Sequence, residues 1–383
     1  MNGVSLFICG DIVNYTKGLN FVGTKLASVI KNADYAICNF EGPELRPGQT
    51  ASCPHQEPGT AVYLKEVGFD LMLLANNHIT ELGIDGVKYS IDTIRKTGAD
   101  CMGAGLSWTD VYKPIIKNIR GRLFAFLNVC EAQVGQFISS HQEFGYAWIG
   151  RQDLFSDVLK LSKEADYLIV FVHAGLEHYP IPLPEIREFY HRICDSGACC
   201  VIGGHPHSAQ GYEYYGDKFI AYSLGNFYFP HPQGVYESEN TSYSIVLNFG
   251  EGKSIEKEVI LHSLRNDVVN IETDPRNQID INALCDMLGP EYDNMANEMC
   301  VAAYHGLCQR LLAEATCGEI DDMSRIELLK SFVRRTLFRR KYVKGNRKHR
   351  EELLLRLFEN ETYRYTIIRA LKAIKKNENS QDN

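Results

Sequence analysis

The stretch CVIGGHPH, residues 200–207, joins a short apolar run to two glycines and two histidines. A buried strand that ends on histidine places an imidazole at the edge of a parallel sheet, where α/β proteins bind ligands. The glycines allow neighbouring groups to approach closely, Pro206 restricts the backbone between the imidazoles, and their period-2 spacing indicates that both point the same way. Because neutral imidazole is a common metal ligand, this stretch predicts an α/β fold with a metal site at one sheet edge.

Four other apolar runs are followed by side chains that can bind a metal. These are residues 6–9 followed by Asp11, 35–38 followed by Glu41, 69–74 followed by Asn77 and His78, and 167–172 followed by His173. Hard or borderline divalent cations bind such a mixture of carboxylate, amide oxygen and imidazole. The sequence therefore predicts one metal site assembled from several strand ends.

Simpler roles stay open for some of these residues. A lone histidine after an apolar run is more often a hydrogen-bonded residue at the rim of a sheet than a ligand. Asp11 could cap the next helix, and Asn76 and Asn77 could be turn residues in a left-handed conformation. For His205 and His207 the spacing favours metal binding.

Composition places the chain among soluble globular proteins. Its 383 residues are 45% hydrophobic and 23% charged, which is ordinary for such proteins and long enough for two domains. No apolar run approaches the roughly 20 residues that cross a bilayer, and Met1 leads into the first strand without a signal-peptide pattern. The twelve cysteines include no Cys-x-x-Cys pair. We therefore expect a reduced, cytoplasmic protein.

The chain divides into two regions by pattern. Residues 1–270 alternate short apolar runs with amphipathic stretches, which predicts an α/β domain. Residues 275–383 lack β-branched runs and predict a helical extension. The helices predicted there are 279–288, 294–315, 321–342 and 351–376, of which the first three could pack as a small bundle.

Positive charge is concentrated in this extension. Residues 325–376 contain 17 Lys and Arg and five Asp and Glu, a net charge of +12, so the rest of the chain carries −20. The basic helices are either a solvated face of a packed core or a docking surface for anionic lipid, an acidic polymer or a partner protein. Nucleic acid is not expected, because the body is acidic and contains no nucleic-acid-binding motif.

Six short motifs occur in an order that is typical of one family. They are GD at 10–11, NFEGP at 39–43, ANNH at 75–78, HAGLE at 173–177, GHPH at 204–207 and SLGNF at 223–227. Over residues 5–250 the chain resembles the CapA family of bacterial capsule or poly-γ-glutamate synthesis proteins, a branch of the calcineurin-like metallophosphoesterases. The resemblance implies a two-sheet α/β sandwich of the metallophosphoesterase type, with one or two divalent metals (Mn, Zn or Fe) at one edge.

The resemblance also implies a role for each motif residue. Glu41 would bridge two metals, Asn77, His173 and His205 would complete one site, and Asp11 and His207 would belong to the other. His78 would face the substrate as a general acid or a transition-state donor. Glu177 either orients a ligand, acts as a second acid-base group or is a plain rim carboxylate, and Asn226 either binds a substrate oxygen or shapes its loop.

Two departures from the superfamily pattern concern the second site. The superfamily usually has Asp-x-His where Asp11 is followed by Ile12 and Val13, so the site of Asp11 and His207 lacks the imidazole of that motif and is expected to bind metal more weakly. Glu41 stands where most of the superfamily has aspartate. Both features are typical of the CapA branch and weaken the expectation of phosphatase chemistry rather than of membership.

These observations lead to two functional hypotheses. The first is a metal-dependent hydrolase of the phosphoesterase type, acting on an anionic polymer or a phosphoester in capsule or cell-surface polymer synthesis. The alternative is a non-catalytic metal- or polymer-binding assembly factor of a capsule synthesis complex. In either case the basic segment 325–376 could contact capsule synthesis proteins or a membrane surface, which would make a cytoplasmic protein peripheral to the membrane.

Overall fold

Sixteen strands and eleven α-helices form the regular structure of the residues that the computed structural model describes, which are 3–16, 20–133, 135–139, 141–230, 237–250, 254–316 and 339–381. The strands are β1 (Val4–Ile12), β2 (Tyr35–Phe40), β3 (Leu71–Leu73), β4 (Asp100–Met102), β5 (Ala104–Gly105), β6 (Ile115–Ile119), β7 (Arg122–Cys130), β8 (Gly145–Tyr146), β9 (Tyr167–His173), β10 (Cys200–Gly204), β11 (Tyr212–Tyr215), β12 (Lys218–Ala221), β13 (Asn226–Tyr228), β14 (Thr241–Phe249), β15 (Ile255–Arg265) and β16 (Val268–Ile271). The helices are α1 (Thr24–Asn32), α2 (Thr60–Val67), α3 (Gly83–Lys96), α4 (Trp108–Val111), α5 (Leu154–Glu164), α6 (Pro184–Asp195), α7 (Ile281–Asp286), α8 (Tyr292–Ala303), α9 (Gln309–Thr316), α10 (Arg339–Glu359) and α11 (Glu361–Gln381).

Two large sheets carry the strands. The first has the order β16-β15-β14-β1-β2-β3-β4, with β13 also paired to β1, and the second has the order β11-β12-β10-β9-β7-β6. Within the first sheet β1 to β4 are parallel, and within the second β7, β9, β10 and β12 are parallel. The carboxyl ends of neighbouring parallel strands therefore lie at a common edge of each sheet.

The inner faces of the two sheets pack against each other. Tyr35 of the first sheet stacks on Phe126 of the second with ring centroids 5.6 Å apart, and Phe249 meets Phe124 edge-to-face at 5.0 Å. Such aromatic pairs contribute about 0.5–1.5 kcal/mol beyond the apolar area that they bury. The architecture confirms the predicted two-sheet α/β sandwich with a C-terminal helical extension.

The contact pattern divides the chain into two units, Met1–Tyr292 and Asp293–Asn383. The composition change between residues 270 and 275 comes earlier than this division, because α7 packs with the first unit. Arg187 Nη1 donates a hydrogen bond to the carbonyl oxygen of Leu288 over 3.1 Å, and the Tyr292 hydroxyl donates to that of Pro182 over 3.0 Å. These contacts attach the segment after the sheets to the first unit.

The second unit is helical, but its helices differ in extent from those predicted. The π-helical turn Tyr304–Cys308 separates α8 from α9 within the predicted helix 294–315. The sequence predicts a single helix over 351–376, but α10 ends at Glu359 and α11 begins at Glu361. The reason is Asn360, whose side-chain oxygen accepts a hydrogen bond of 2.7 Å from the amide of Tyr363 and caps the new helix. Most of the predicted helix 321–342, and with it the proposed three-helix bundle, lies outside the described residues. Among the described helices, none combines the length and the apolar character that crossing a membrane requires.

Candidate metal centre

The residues that follow the parallel strands meet at one edge of the sandwich. Asp11 lies in β1, Glu41 and Asn77 follow β2 and β3, His173 ends β9, and His205 and His207 follow β10. The carboxylates thus come from the first sheet and three imidazoles from the second. Glycine is required where the strands approach, since a Cβ at Gly10 would lie 1.8 Å from the carbonyl oxygen of Gly225.

One group of possible ligands contains Glu41, His173 and His205. Their ligand atoms all lie within 4.8 Å of one another, and all three residues are buried. The distance from Glu41 Oε1 to His173 Nε2 is 3.7 Å, and Asn77 Oδ1 lies 3.0 Å from the same nitrogen. The structure therefore brings together the four side chains that the family resemblance assigned to one site.

A second group contains Asp11, Glu41 and His207, also within 4.8 Å of one another and buried. His207 Nε2 lies 3.9 Å from Glu41 Oε1, and His207 Nδ1 lies 3.4 Å from Asp11 Oδ2. Glu41 belongs to both groups, which is the arrangement that a bridging carboxylate needs. Val13, two residues after Asp11, is fully buried in the core and offers no ligand atom.

The chemistry of Glu41 tests whether these residues fit a metal. Its carboxylate is fully buried, and among the described residues neither of its oxygens has a hydrogen-bond partner. The nearest ring nitrogens are 3.7 to 3.9 Å from Oε1, somewhat longer than the roughly 3.0–3.5 Å between two ligands of one ion. A buried unpaired carboxylate is costly unless a cation compensates it, so the donor set fits a divalent metal.

The two carboxylates differ in acidity because their surroundings differ. Burial raises the pKa of Glu41 to about 7, and the nearby charge of Asp11 adds to this effect. Burial also favours the neutral form of Asp11, but its hydrogen bond with His207 and the charge of His173 lower its pKa well below the ordinary range. Asn39 supports Asp11 further by donating a hydrogen bond of 2.6 Å to Oδ1.

The three buried imidazoles also differ. Burial and the neighbouring charge of His205 lower the pKa of His173. Burial also lowers the pKa of His205 and of His207, but nearby carboxylates raise both pKa values by more. The hydrogen bond and charge of Glu131 raise the pKa of His205, and Glu41 and Asp11 raise the pKa of His207 to about 10. In metal-free protein, His205 and His207 therefore favour the protonated form more than an ordinary histidine does. Binding of a metal cation would release these protons.

His78 lies at the border of the centre. Its Nε2 is 3.8 Å from Glu41 Oε1 and 3.2 Å from Asn77 Nδ2. Its Nδ1 forms a short hydrogen bond with Glu81 Oε1, and 21% of its side chain is exposed. A partly exposed imidazole with one nitrogen held by a carboxylate has the arrangement of a group that exchanges protons with a bound molecule.

Glu177 and Asn226 are also near the centre. Glu177 Oε1 is 3.6 Å from His205 Nε2, and a third of the Glu177 side chain is exposed. Asn226 is buried, and its Oδ1 lies 2.9 Å from His207 Nδ1. This contact orients the His207 ring so that Nε2 faces Glu41.

Three further residues, which the sequence did not identify, contact the centre: Asn39, Glu131 and Gln133. Asn39 Nδ2 lies 3.1 Å from His173 Nδ1, and Glu131 Oε1 lies 3.5 Å from His205 Nε2. Gln133 joins Asn77 and His205 through contacts of 3.1 Å each. Glu131 follows the apolar strand β7, so the reasoning from strand ends could have found it.

The loop that carries His205 and His207 differs from the period-2 expectation. Strand β10 ends at Gly204, and both histidines have positive φ, +94° and +60°. They are therefore not alternate residues of a strand. Each ring reaches a different ligand group, and the ring centroids are 6.0 Å apart. Non-glycine residues in this conformation are strained, and such strain is found at functional sites.

Comparison with known proteins relates most of the first unit to one family. The family model described as bacterial capsule synthesis protein PGA_cap matches residues 7–231. The capsule biosynthesis protein CapA of Bacillus anthracis is 30% identical over 233 residues, which cover 57% of this chain and 56% of that protein. The PGA biosynthesis protein CapA of Bacillus subtilis is 27% identical over 223 residues, covering 57% and 59% respectively. The chain thus matches less than two thirds of the length of these curated relatives.

Among solved structures, a hypothetical protein from Thermus thermophilus matches with a TM-score of 0.46 and 18% identity, covering 68% of this chain and all of that one.

Proposed function

Because the chain belongs to the family described as bacterial capsule synthesis protein PGA_cap, we propose that it acts in the synthesis of a bacterial capsule or related cell-surface polymer, as a metal-dependent hydrolase of the phosphoesterase type. Its substrate is an anionic polymer or a phosphoester. The names of the two Bacillus relatives support the polymer context.

The observation that carries the proposal is the buried carboxylate of Glu41, which has no hydrogen-bond partner among the described residues. Two ligand groups share it, Glu41 with His173 and His205, and Glu41 with Asp11 and His207. In this proposal they hold one or two divalent ions, Mn, Zn or Fe, and Asn77 completes the first site. Bound metal supplies Lewis acidity and lowers the pKa of a bound water towards 7.

The protein's own residues have three tasks in this mechanism. Asn39 and Asn226 orient His173 and His207 through contacts of 3.1 and 2.9 Å. His78 meets the substrate as general acid or as a donor to the transition state, and Glu81 holds its Nδ1. Glu177 lies at the partly exposed rim, where it orients a ligand or the substrate.

A second candidate function is a non-catalytic assembly factor that binds a metal or an acidic polymer. The observation that favours it is Val13, which stands two residues after Asp11, where the superfamily pattern has a histidine, and offers no ligand atom. A weak second site would reduce hydrolysis while leaving one metal in place.

The partner of the basic segment 325–376 belongs to the proposal as well. Its charge of +12 suits a capsule synthesis protein or the anionic surface of a cytoplasmic membrane. Removing residues 325–383 is expected to abolish sedimentation with vesicles that contain phosphatidylglycerol. Unchanged sedimentation would exclude the membrane as its partner.

The proposed hydrolase function is tested by measuring metal content, by elemental analysis, and hydrolytic activity in the same proteins. Metal content and Mn²⁺-dependent hydrolysis of p-nitrophenyl phosphate and bis(p-nitrophenyl) phosphate are measured for the native chain, for His78→Ala, and for His305→Ala as an exposed control. We expect near-stoichiometric metal in all three proteins and a loss of about 10²–10⁴-fold in rate for His78→Ala only. Metal without hydrolysis would support the assembly factor, and absence of metal would reject the hydrolase and the metal-binding form of the assembly factor.

A further inference from the structure

A second histidine–glutamate pair lies beside the centre, on the side of His207. His178 Nδ1 is 2.5 Å from Glu239 Oε1. Glu239 is 2% exposed and belongs to the 3₁₀ turn Glu237–Asn240. The His178 side chain is 32% exposed, so its imidazole is accessible from solvent while the carboxylate that holds it is not.

The backbone keeps His178 in place. Its φ is +69°, in the left-handed region that residues other than glycine rarely adopt. Its amide donates a hydrogen bond of 2.8 Å to the carbonyl oxygen of Pro206, which lies between the two histidines of the β10 loop. The ring centroids of His178 and His207 are consequently 6.2 Å apart.

The buried carboxylate of Glu239 contacts two side chains of the site. Its Oε2 accepts a hydrogen bond of 3.4 Å from Asn226 Nδ2, while Asn226 Oδ1 contacts His207. Glu239 therefore orients His178 directly and His207 through Asn226. With Nδ1 facing Glu239, the other nitrogen of His178 faces Glu177, whose Oε2 is 3.9 Å away at the rim.

We propose that His178 is a second proton-transfer residue of the site, which protonates the leaving oxygen of the ester, and that Glu239 is its positioning residue. This inference rests on the proposed hydrolase function. His78 lies near Glu41 and His178 near Glu177, so the two imidazoles occupy different parts of the site. His78 then serves as the donor to the phosphoryl oxygens.

Bonds and protons balance in this step. A water oxygen forms a bond to phosphorus while the bond from phosphorus to the leaving oxygen breaks. The Nε2 proton of doubly protonated His178 moves to that oxygen, so the product leaves as an alcohol. The attacking water releases its proton to solvent, and His178 regains one from solvent through its exposed face.

The leaving group provides the test. A p-nitrophenolate ion leaves without a proton, whereas an alkoxide needs one. Hydrolysis of p-nitrophenyl phosphate and of ethyl phosphate is compared in native protein, His178→Asn and Glu239→Gln. Asparagine is chosen because it tolerates positive φ better than other non-glycine residues. The matched control is His191→Asn, which breaks a histidine–glutamate pair of 2.7 Å between α6 and Glu213.

We expect His178→Asn to slow ethyl phosphate hydrolysis by about 100-fold and p-nitrophenyl phosphate hydrolysis by less than about threefold. Glu239→Gln should also slow ethyl phosphate hydrolysis more than p-nitrophenyl phosphate hydrolysis. His191→Asn should keep the native ratio of the two hydrolysis rates. Equal losses on both esters in an active protein would overturn the role of His178 and leave the proposed hydrolase intact. A native protein that hydrolyses neither ester overturns the proposed function and this step with it.

A readout independent of activity tests the positioning role. In metal-free protein with ¹⁵N-labelled histidine, NMR should find the proton of neutral His178 on Nδ1, and Glu239→Gln should move the tautomer equilibrium towards Nε2. A native His178 protonated mainly on Nε2 would overturn the assignment of Glu239. Metal content equal to that of the native protein in both variants confirms that they are folded.

Discussion

Glu41 Oε1 lies 3.7 Å from Nε2 of His173, too far for a hydrogen bond and near the separation of two ligands of one cation. The two residues come from different sheets of the sandwich, since Glu41 follows β2 and His173 ends β9. Metal binding at this point would therefore connect the sheets, and its absence would leave a buried charge between them.

Replacement of Glu41 by glutamine should have opposite effects on stability and metal binding. At pH 8 the Glu41 carboxylate, whose pKa burial raises to about 7, is mainly ionised, buried and without a hydrogen-bond partner among the described residues of the metal-free protein. We expect Glu41→Gln to raise the free energy of unfolding of the metal-free protein by about 1–2 kcal/mol. The increase in Tm that Mn²⁺ gives the native protein should disappear. Differential scanning calorimetry with EDTA and with Mn²⁺ measures both effects.

The control is Glu66→Gln on the exposed side of α2. If Mn²⁺ still raises the Tm of Glu41→Gln, the bridging role of Glu41 is contradicted.

Asn39 should influence metal affinity without being a ligand. Its amide donates to Asp11 Oδ1 over 2.6 Å and lies 3.1 Å from His173 Nδ1, so it orients one residue of each ligand group. Loss of such an outer contact typically weakens metal binding by about 10–100-fold. We expect this loss for Asn39→Ala in a competition titration with a chelator. Asn118→Ala, at an exposed position of β6 whose side chain accepts a hydrogen bond from the amide of Gly121, should bind as the native protein does. Equal affinities for all three proteins would show that Asn39 has no such role.

His262 should make stability depend on pH. Burial lowers its pKa to about 3, whereas an unfolded chain has an ordinary histidine near 6.5. Between these values the unfolded state binds more protons, so stability is fully present above about pH 6.5 and falls as the pH decreases towards 3. The loss attributable to His262 should be about 2 kcal/mol at pH 5.

His262→Leu should remove that part of the pH dependence in urea unfolding between pH 5 and 8, and His305→Leu, an exposed control, should not. An unchanged slope in His262→Leu would mean that this imidazole is not held neutral.

The end of the first unit can be tested by truncation. Residues 1–292 retain the contacts of Leu288 and Tyr292 with α6 and its preceding loop, and the partly buried Ile281 and Leu284 pack against the core of the sandwich. A chain ending at residue 274 loses all of these. We expect the 1–292 fragment to bind as much metal as the full chain, and the shorter fragment to be less stable by on the order of 3 kcal/mol or more. Equal unfolding midpoints of the two fragments would show that the first unit ends at or before residue 274.

Several elements were predictable because local patterns determine them. Helix α3 presents Val87, Ile91 and Ile94 on one buried face, a spacing that the sequence displays directly. Helix α6 begins with Pro184 in its first turn, where proline is favoured because its φ suits a helix. The break at Asn360 was not predicted, because asparagine is tolerated inside a helix at small cost and its capping role depends on where the chain turns.

The residues of the site likewise include some that the sequence could identify and others that it could not. Asp11, Glu41, Asn77, His173, His205 and His207 could be named from the sequence because each follows an apolar run, and ends of parallel strands converge at one sheet edge. Glu239 follows no such run, and its contacts with His178 and Asn226 arise only when a turn far along the chain folds over the β10 loop.

Local sequence is enough to specify which residue types stand at the strand ends, and hence the α/β class and the kind of ligand, because hydrophobic periodicity and turn residues act over a few positions. The packing of the two sheets is what places Glu41 within both ligand groups without a hydrogen-bond partner among the described residues. The same packing selects which carboxylate orients each histidine. Distances of a few ångströms between residues far apart in the chain follow from how the sheets fit together, which no local pattern encodes.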